Sequence, residues 1–108
     1  MNTTKLSENF IVSGQLAVSD LQEIKNLGIK TIICNRPDKE DYNQVSFNTI
    51  SEEASKFGIK AFHIPITVDT DPLDIKEAYN SLKNEILEPV IAYCRSGSRS
   101  AALFNLIQ

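Results

Sequence analysis

The chain has 108 residues, 42% apolar and 23% charged, with four glycines and four prolines, the composition of one folded domain rather than of a disordered or fibrous segment. Its formal charge of -3 and pI near 5.1 exclude a surface that is basic throughout. Neither nucleic acid nor an anionic membrane is therefore an expected partner, and any anion recognition has to be local. Two cysteines and one histidine are too few for a disulfide framework or for a zinc or iron centre, so no metal or other cofactor is expected.

The opening MNTTKLSENF lacks the apolar stretch of a secretory leader, and no apolar run reaches membrane-spanning length. The expected location is cytoplasmic, with reduced thiols. No repeat, low-complexity tract or linker interrupts the sequence, so residues 1–108 are read as a single domain, large enough to fold on one core without a disulfide.

In chain order, NFIVSG (9–14) is a short apolar run closed by glycine and predicts a first strand. Ser19 with Gln22 three residues on has the form of a capping box. Leu21, Ile24 and Leu27 then mark one helical face, and Gly28 supplies the stop. IKTIIC (29–34) is continuous and β-branched, which suits a strand covered on both faces. After the polar loop NRPDKEDYNQ, helical spacing of Phe47, Ile50, Ala54 and Phe57 predicts a helix from about Ser46 to Phe57, stopped at Gly58. IKAFHIPI (59–66) returns to strand and TVDTD to loop. Asp71 followed by Pro72 predicts an N-cap and first helical residue, for a helix that turns Leu73, Ile75, Ala78, Tyr79, Leu82 and Ile86 inward. PVIAYC (89–94) is the last strand, and SRSAALFNLIQ begins the last helix.

Strand and helix alternate throughout, which predicts an α/β fold: three layers, α/β/α, around a mostly parallel central sheet. Ligands in such sheets collect beyond the carboxyl ends of the strands, where Cys34 and Cys94 both fall.

YCRSGSRSAAL (93–103) carries the chemistry. Cys94 closes a buried-type strand, and residues 95–98 must turn the chain into a helix. Such a turn aims Arg95, Ser96, Gly97 and Ser98 backbone N–H groups inward as a nest, and the start of the helix adds positive potential. Gly97 permits a backbone angle that a side chain resists. A thiol placed there has a stabilised thiolate and becomes a nucleophile at neutral pH. Arg99 offers a planar fork for two oxygens of a tetrahedral oxyanion. Ser100 is expected to donate its hydroxyl to the sulfur, and Arg95 to point outward and attract anions.

Other residues are less determined. Asp69, in TVDTD, is the better candidate for a general acid, since Asp71 is already an N-cap. Arg36 is expected at the pocket rim, with Asp38 or Asp41 as alternative partners. Cys34 is a structural strand residue, a resolving thiol or a second sulfur acceptor. His63 is expected to be structural, and Gln15 to lie where it can touch substrate.

YCRSGSRSAAL resembles the active-site loop of single-domain rhodaneses and also that of the cysteine phosphatases, HCxxxxxR followed by Ser or Thr. A wider set, VSGQ (12–15), ICNRPD (33–38), FHIPI (62–66) and AYCRSGSRSA (92–101), resembles the beta-lactamase-hydrolase-like, phosphatase-like domain family over nearly the whole chain. That resemblance implies a cysteine-phosphatase-like fold and a cysteine that handles sulfur or phosphate. Members stand alone or fused to a metallo-beta-lactamase-type persulfide dioxygenase, which makes a separate dioxygenase an expected partner here.

Four residues separate Cys94 from Arg99, as in the rhodanese-like CRxGxR pattern and one fewer than in the phosphatase loop. Tyr93 stands where phosphatases place histidine. Both departures tilt the expectation toward a sulfurtransferase that moves a sulfane sulfur from thiosulfate or a persulfide through a Cys94 persulfide to a thiol. The alternative is a protein-tyrosine or dual-specificity-type phosphatase acting through a phosphocysteine. A non-enzymatic anion-binding module is the third. In each case the expected ligand is a small oxyanion or a persulfide.

Overall fold

In the computed structural model, which describes residues 1–108, two runs are covered on both faces and lie at the centre of the sheet. These are β3 (Thr31–Cys34) and β5 (Val90–Tyr93), in which every residue is buried. Flanking them are β2 (Phe10–Ser13) and β4 (Lys60–His63). A strand not expected from the sequence, β1 (Thr3–Ser7), pairs antiparallel with β2 at the edge. Its residues are almost all exposed, so it lacks the apolar alternation by which a strand is recognised. The sheet order is β1-β2-β5-β3-β4, parallel from β2 onward.

The register places Cys34 beside both His63 and Tyr93. Side chains alternate along each strand, so one face carries Ile32, Cys34, Ile91 and Tyr93 and the other Ile33, Val90 and Ala92. Helices α1 (Leu21–Asn26) and α2 (Phe47–Ser55) cover the first face with Leu21, Ile24, Ile50 and Ala54. On the second face, α3 (Pro72–Leu82) and α4 (Ser98–Leu106) contribute Ile75 and Leu103. Each of these enclosed leucine and isoleucine side chains contributes roughly 1.5–3 kcal/mol. The three-layer α/β/α arrangement with a mostly parallel sheet is as the alternation of elements predicts.

Local signals behave unevenly. Ser46 caps α2, accepting from the Thr49 N–H at 3.1 Å, and Asp71 caps α3, accepting from Leu73 N–H at 2.9 Å. Gly28 and Gly58 take positive φ at the helix stops. Ser19 is not a cap: a 3-10 turn over Val18–Asp20 precedes α1, and the Asp20 carboxylate accepts from the Ala17 N–H at 2.8 Å. The shorter aspartate lock displaces the expected capping box. Leu73 is also corrected. In the first turn of α3 it stands 64% exposed, while Ile75 is enclosed and Ala78, Tyr79, Leu82 and Ile86 pack against the core. No helix is long and apolar enough to cross a membrane.

Candidate active site

Loops leaving β3, β4 and β5 converge at the carboxyl end of the sheet. The loop after β5 is braced by the end of β2. Cys94 N–H donates to the Ser13 carbonyl at 3.2 Å, and Gln15 N–H donates to the Arg95 carbonyl at 3.2 Å. Two glycines make this approach possible. A Cβ on Gly14 would stand 3.1 Å from the Arg95 carbonyl oxygen, tighter than a side chain ordinarily tolerates. Gly97 is left-handed, with φ 99 at the N-cap of α4, the region a side chain resists. The VSGQ stretch therefore works as a backbone splint for the Cys94 loop.

Gly97 N–H donates to Cys94 Sγ at 3.0 Å. Burial by itself would raise the thiol, but the N–H groups of Ser100, Arg99, Ser96 and Gly97 converge on the sulfur and hold its pKa below the ordinary value. The nest differs from the one expected: Ser96 and Gly97 contribute as expected, but Arg95 and Ser98 are not among the donors, and the first N–H groups of α4, from Arg99 and Ser100, take their place. Cys94 itself is fully buried.

The Arg99 fork lies beside this nest and is engaged. Its Nη1 donates to Glu40 Oε2 at 2.7 Å and to the Ile66 carbonyl at 3.1 Å, and its Nη2 donates to Glu40 Oε1 at 2.9 Å. Arg99 thus ties the β5 loop to the loops after β3 and β4. Glu40 was not among the residues expected at the site. It lies 59 residues from Arg99 in the chain, and nothing in its local sequence marks it. Hydrogen bonding from Arg99, which outweighs partial burial, holds its carboxyl down at about 2.

Arg36 is 3% exposed; it lines a cleft as expected, but its Nε, Nη1 and Nη2 all donate within the protein. Its Nη1 donates to Gln15 Oε1 at 2.9 Å, its Nε to Glu40 Oε1 at 3.0 Å and its Nη2 to Asp41 Oδ2 at 2.8 Å. Of its two expected partners Asp41 is the one engaged, while Asp38 accepts from the Phe47 N–H at 2.9 Å and so braces the start of α2. Gln15 is taken up by Arg36 rather than turned toward a substrate. Arg95 extends outward as expected, 65% exposed, with Asp41 Oδ2 at 3.4 Å. A cleft of about 370 Å³, lined by Gln15, Val18, Arg36, Asp41, Gln44 and Val45 among others, borders this network.

Ser100 departs from expectation. Its hydroxyl donates to Asn35 Oδ1 at 2.8 Å, and Asn35 Nδ2 donates to the Ile64 carbonyl at 2.8 Å. Only one proton is available on that oxygen, so the sulfur is served by the Ser100 backbone N–H and not by the hydroxyl. Ser96 and Ser98 lie exposed on the outer side of the loop, their hydroxyls 3.2 Å apart.

Asp69 sits exposed in the turn after β4. Its N–H donates to Thr67 Oγ1 at 3.2 Å, and the turn is closed by Thr67 N–H donating to Thr70 Oγ1 at 2.9 Å. The Ile66 carbonyl that Arg99 grips lies three residues before Asp69, which puts this turn at the edge of the site. His63 is structural: Nε2 donates to the Arg36 carbonyl at 2.8 Å, and the ring stacks on Phe47 with centroids 4.7 Å apart.

Cys34 Sγ donates to the Arg36 carbonyl at 3.3 Å and lies against the Tyr93 hydroxyl, with burial raising the thiol. It shares a sheet face with Tyr93. Cys94 follows the last residue of β5, and both thiols are free.

Residues 2–108 match the family described as beta-lactamase hydrolase-like protein, phosphatase-like domain. The beta-lactamase hydrolase-like protein of Agrobacterium fabrum (strain C58) is 29% identical over 107 residues, covering 98% of this chain and 25% of that protein. The chain thus spans a quarter of the length of that curated relative. Among solved structures, a candidate phosphatase from Neisseria meningitidis Z2491 superposes with a TM-score of 0.81 at 41% identity, over 93% of this chain and 71% of the other. The catalytic core of the S. cerevisiae PP-IP phosphatase superposes with a TM-score of 0.67 at 19% identity, over 95% and 62% respectively. That second likeness is one of fold, and the fold is the cysteine-phosphatase one.

Proposed function

The chain belongs to the beta-lactamase hydrolase-like, phosphatase-like domain family, and on that footing we propose that it hydrolyses phosphate monoesters through Cys94. The observation that carries this reading is the set of N–H groups from residues 96, 97, 99 and 100 gathered around a thiol of lowered pKa. Three non-bridging oxygens of a phosphoryl group fit such a nest, and the Arg99 fork is the second element such a group needs. The likeness to the Neisseria candidate phosphatase at 41% identity supports phosphorus over sulfur, reversing the order of preference suggested by loop length.

In this scheme the Cys94 thiolate attacks phosphorus, the P–O ester bond breaks and the leaving oxygen takes a proton from Asp69. Water then attacks the phosphocysteine with Asp69 as base, releasing inorganic phosphate and restoring the thiolate. Arg99 and the N–H nest hold the charge that builds on the equatorial oxygens in both steps.

Sulfur transfer is kept as a second reading for one specific reason, the four-residue interval between Cys94 and Arg99. There the thiolate attacks the outer sulfur of thiosulfate, the S–S bond breaks and sulfite leaves with the electron pair. An acceptor thiolate then takes the sulfur from the Cys94 persulfide, and no general acid is needed. A separate persulfide dioxygenase would be the natural consumer of such a product.

One pair of measurements on the reduced protein separates the two: turnover of an aryl phosphate, and intact mass after exposure to thiosulfate. Phosphate release that is lost in Cys94→Ser and reduced at least tenfold in Asp69→Asn supports hydrolysis, a general acid being worth roughly 10²–10⁴ in rate. Gain of one sulfur without phosphate release overturns it in favour of sulfur transfer. Inertness in both assays leaves an anion-binding module.

A further inference from the structure

The loop after β3 places a carboxylate on the arginine that an oxyanion needs. Glu40 accepts from Arg99 through both oxygens, at 2.7 and 2.9 Å, and its Oε1 also accepts from Arg36 Nε at 3.0 Å. This is the same two-point fork by which arginine takes two oxygens of a phosphate or sulfate. Glu40 makes no bond to the N–H groups around Cys94, so it fills only the arginine half of the seat. Its position is fixed by Gln44, whose Oε1 accepts from the N–H groups of Glu40 and Asp41 at 3.0 and 3.3 Å and whose Nε2 donates to the Pro37 carbonyl at 2.9 Å.

We propose that Glu40 is a specificity-determining residue, a resident anion that a ligand must displace from Arg99. A planar carboxylate offers Arg99 only what Glu40 already supplies at high effective concentration, so carboxylate metabolites are excluded. A tetrahedral oxyanion brings a third oxygen to the N–H nest and gains bonds that Glu40 does not make. The selection is by geometry and is independent of whether Cys94 attacks phosphorus or sulfur, so it stands or falls apart from the reaction proposed above.

The test is titration calorimetry of the full chain with inorganic phosphate, in the presence and absence of acetate, for the wild type, Glu40→Gln and Gln44→Ala. Gln44→Ala frees the loop without changing charge. Glu40→Gln is expected to bind phosphate about tenfold more tightly, the factor equivalent to ~1.4 kcal/mol of competition removed, and to become sensitive to acetate where the wild type is not. Gln44→Ala is expected to move in the same direction. Unchanged or weaker phosphate binding in Glu40→Gln, with a native melting curve, means that Glu40 merely orients Arg99 and overturns the proposal. Should Glu40→Gln fail to fold, the same result in Gln44→Ala overturns it, as does absence of phosphate binding by every folded protein tested.

Discussion

The Ser100 hydroxyl donates to Asn35 Oδ1 at 2.8 Å, and both residues have no exposed surface. The bond joins the end of β3 to the first turn of α4 across 65 residues of chain, so it sets how the helix start faces the sulfur. Ser100→Ala leaves Asn35 Oδ1 buried and unpaired, at an expected cost of about 1–3 kcal/mol measured by denaturant unfolding. The Ser100 N–H, which serves Cys94, is retained. The midpoint of Cys94 alkylation against pH is therefore expected to stay where it is in the wild type. A large upward shift of that midpoint, with stability unchanged, would mean that the hydroxyl serves the sulfur after all.

Gly97 carries two demands at once, a φ of 99 and an N–H 3.0 Å from Cys94 Sγ. Alanine pays the left-handed penalty of about 1–2 kcal/mol, although its Cβ, 3.5 Å from the Ser13 carbonyl oxygen, meets only ordinary contact. Relief of the strain rotates the N–H away from the sulfur. Gly97→Ala is expected to raise the Cys94 pKa and depress turnover well beyond what its lower melting temperature explains. Thiol alkylation profiles and thermal melts on the same sample decide this, and an unshifted alkylation profile counts against it.

The central strands were legible because IKTIIC and PVIAYC are continuous apolar runs, the pattern that full cover on both faces requires. Asp71 with Pro72 was legible because a cap is a local bond, closed within two residues. β1 was not, since an edge strand with exposed side chains has no apolar period to read. The loop around Cys94 was legible from Cys94 and Gly97, whose placement after a buried strand and at the N-cap of α4 follows from their spacing. What holds Arg99 was not. Glu40 and Ile66 reach it only through the crossovers of the sheet, and a sequence window cannot see a pairing that depends on strand order. The same holds for Arg36, whose local acidic neighbours pointed to Asp38 or Asp41 but not to Gln15 across the sheet.

Cys34 ends β3, Cys94 follows the end of the neighbouring β5, and both are free thiols. They differ in what surrounds the sulfur: backbone N–H groups hold the Cys94 thiol low, whereas burial raises Cys34. Mild peroxide treatment is therefore expected to add oxygen to Cys94, whose thiolate is stabilised, while Cys34, whose thiol is raised by burial, stays reduced. Intact mass with peptide mapping under non-reducing conditions reads the outcome. Loss of two hydrogens with a Cys34–Cys94 crosslink would show instead that Cys34 acts as a resolving thiol.

Glu40 also makes a prediction about pH. Its carboxyl is held at about 2 in the fold, chiefly by hydrogen bonding from Arg99, against an ordinary value of 4.5. A depressed folded value means that the ionised form stabilises the fold. The contribution is complete above about 4.5 and is lost as pH falls toward about 2. Other carboxylates titrate over the same range, so the informative quantity is the difference in melting temperature between the wild type and Glu40→Gln. That difference is expected to favour the wild type at pH 7, to be undiminished at pH 6, and to shrink steadily from pH 4.5 downward. Added salt is expected to reduce it only partly, since Arg36, one of the two guanidinium partners, is buried and poorly screened. A difference that does not vary with pH would mean that Glu40 stabilises the loop by packing and not by its charge.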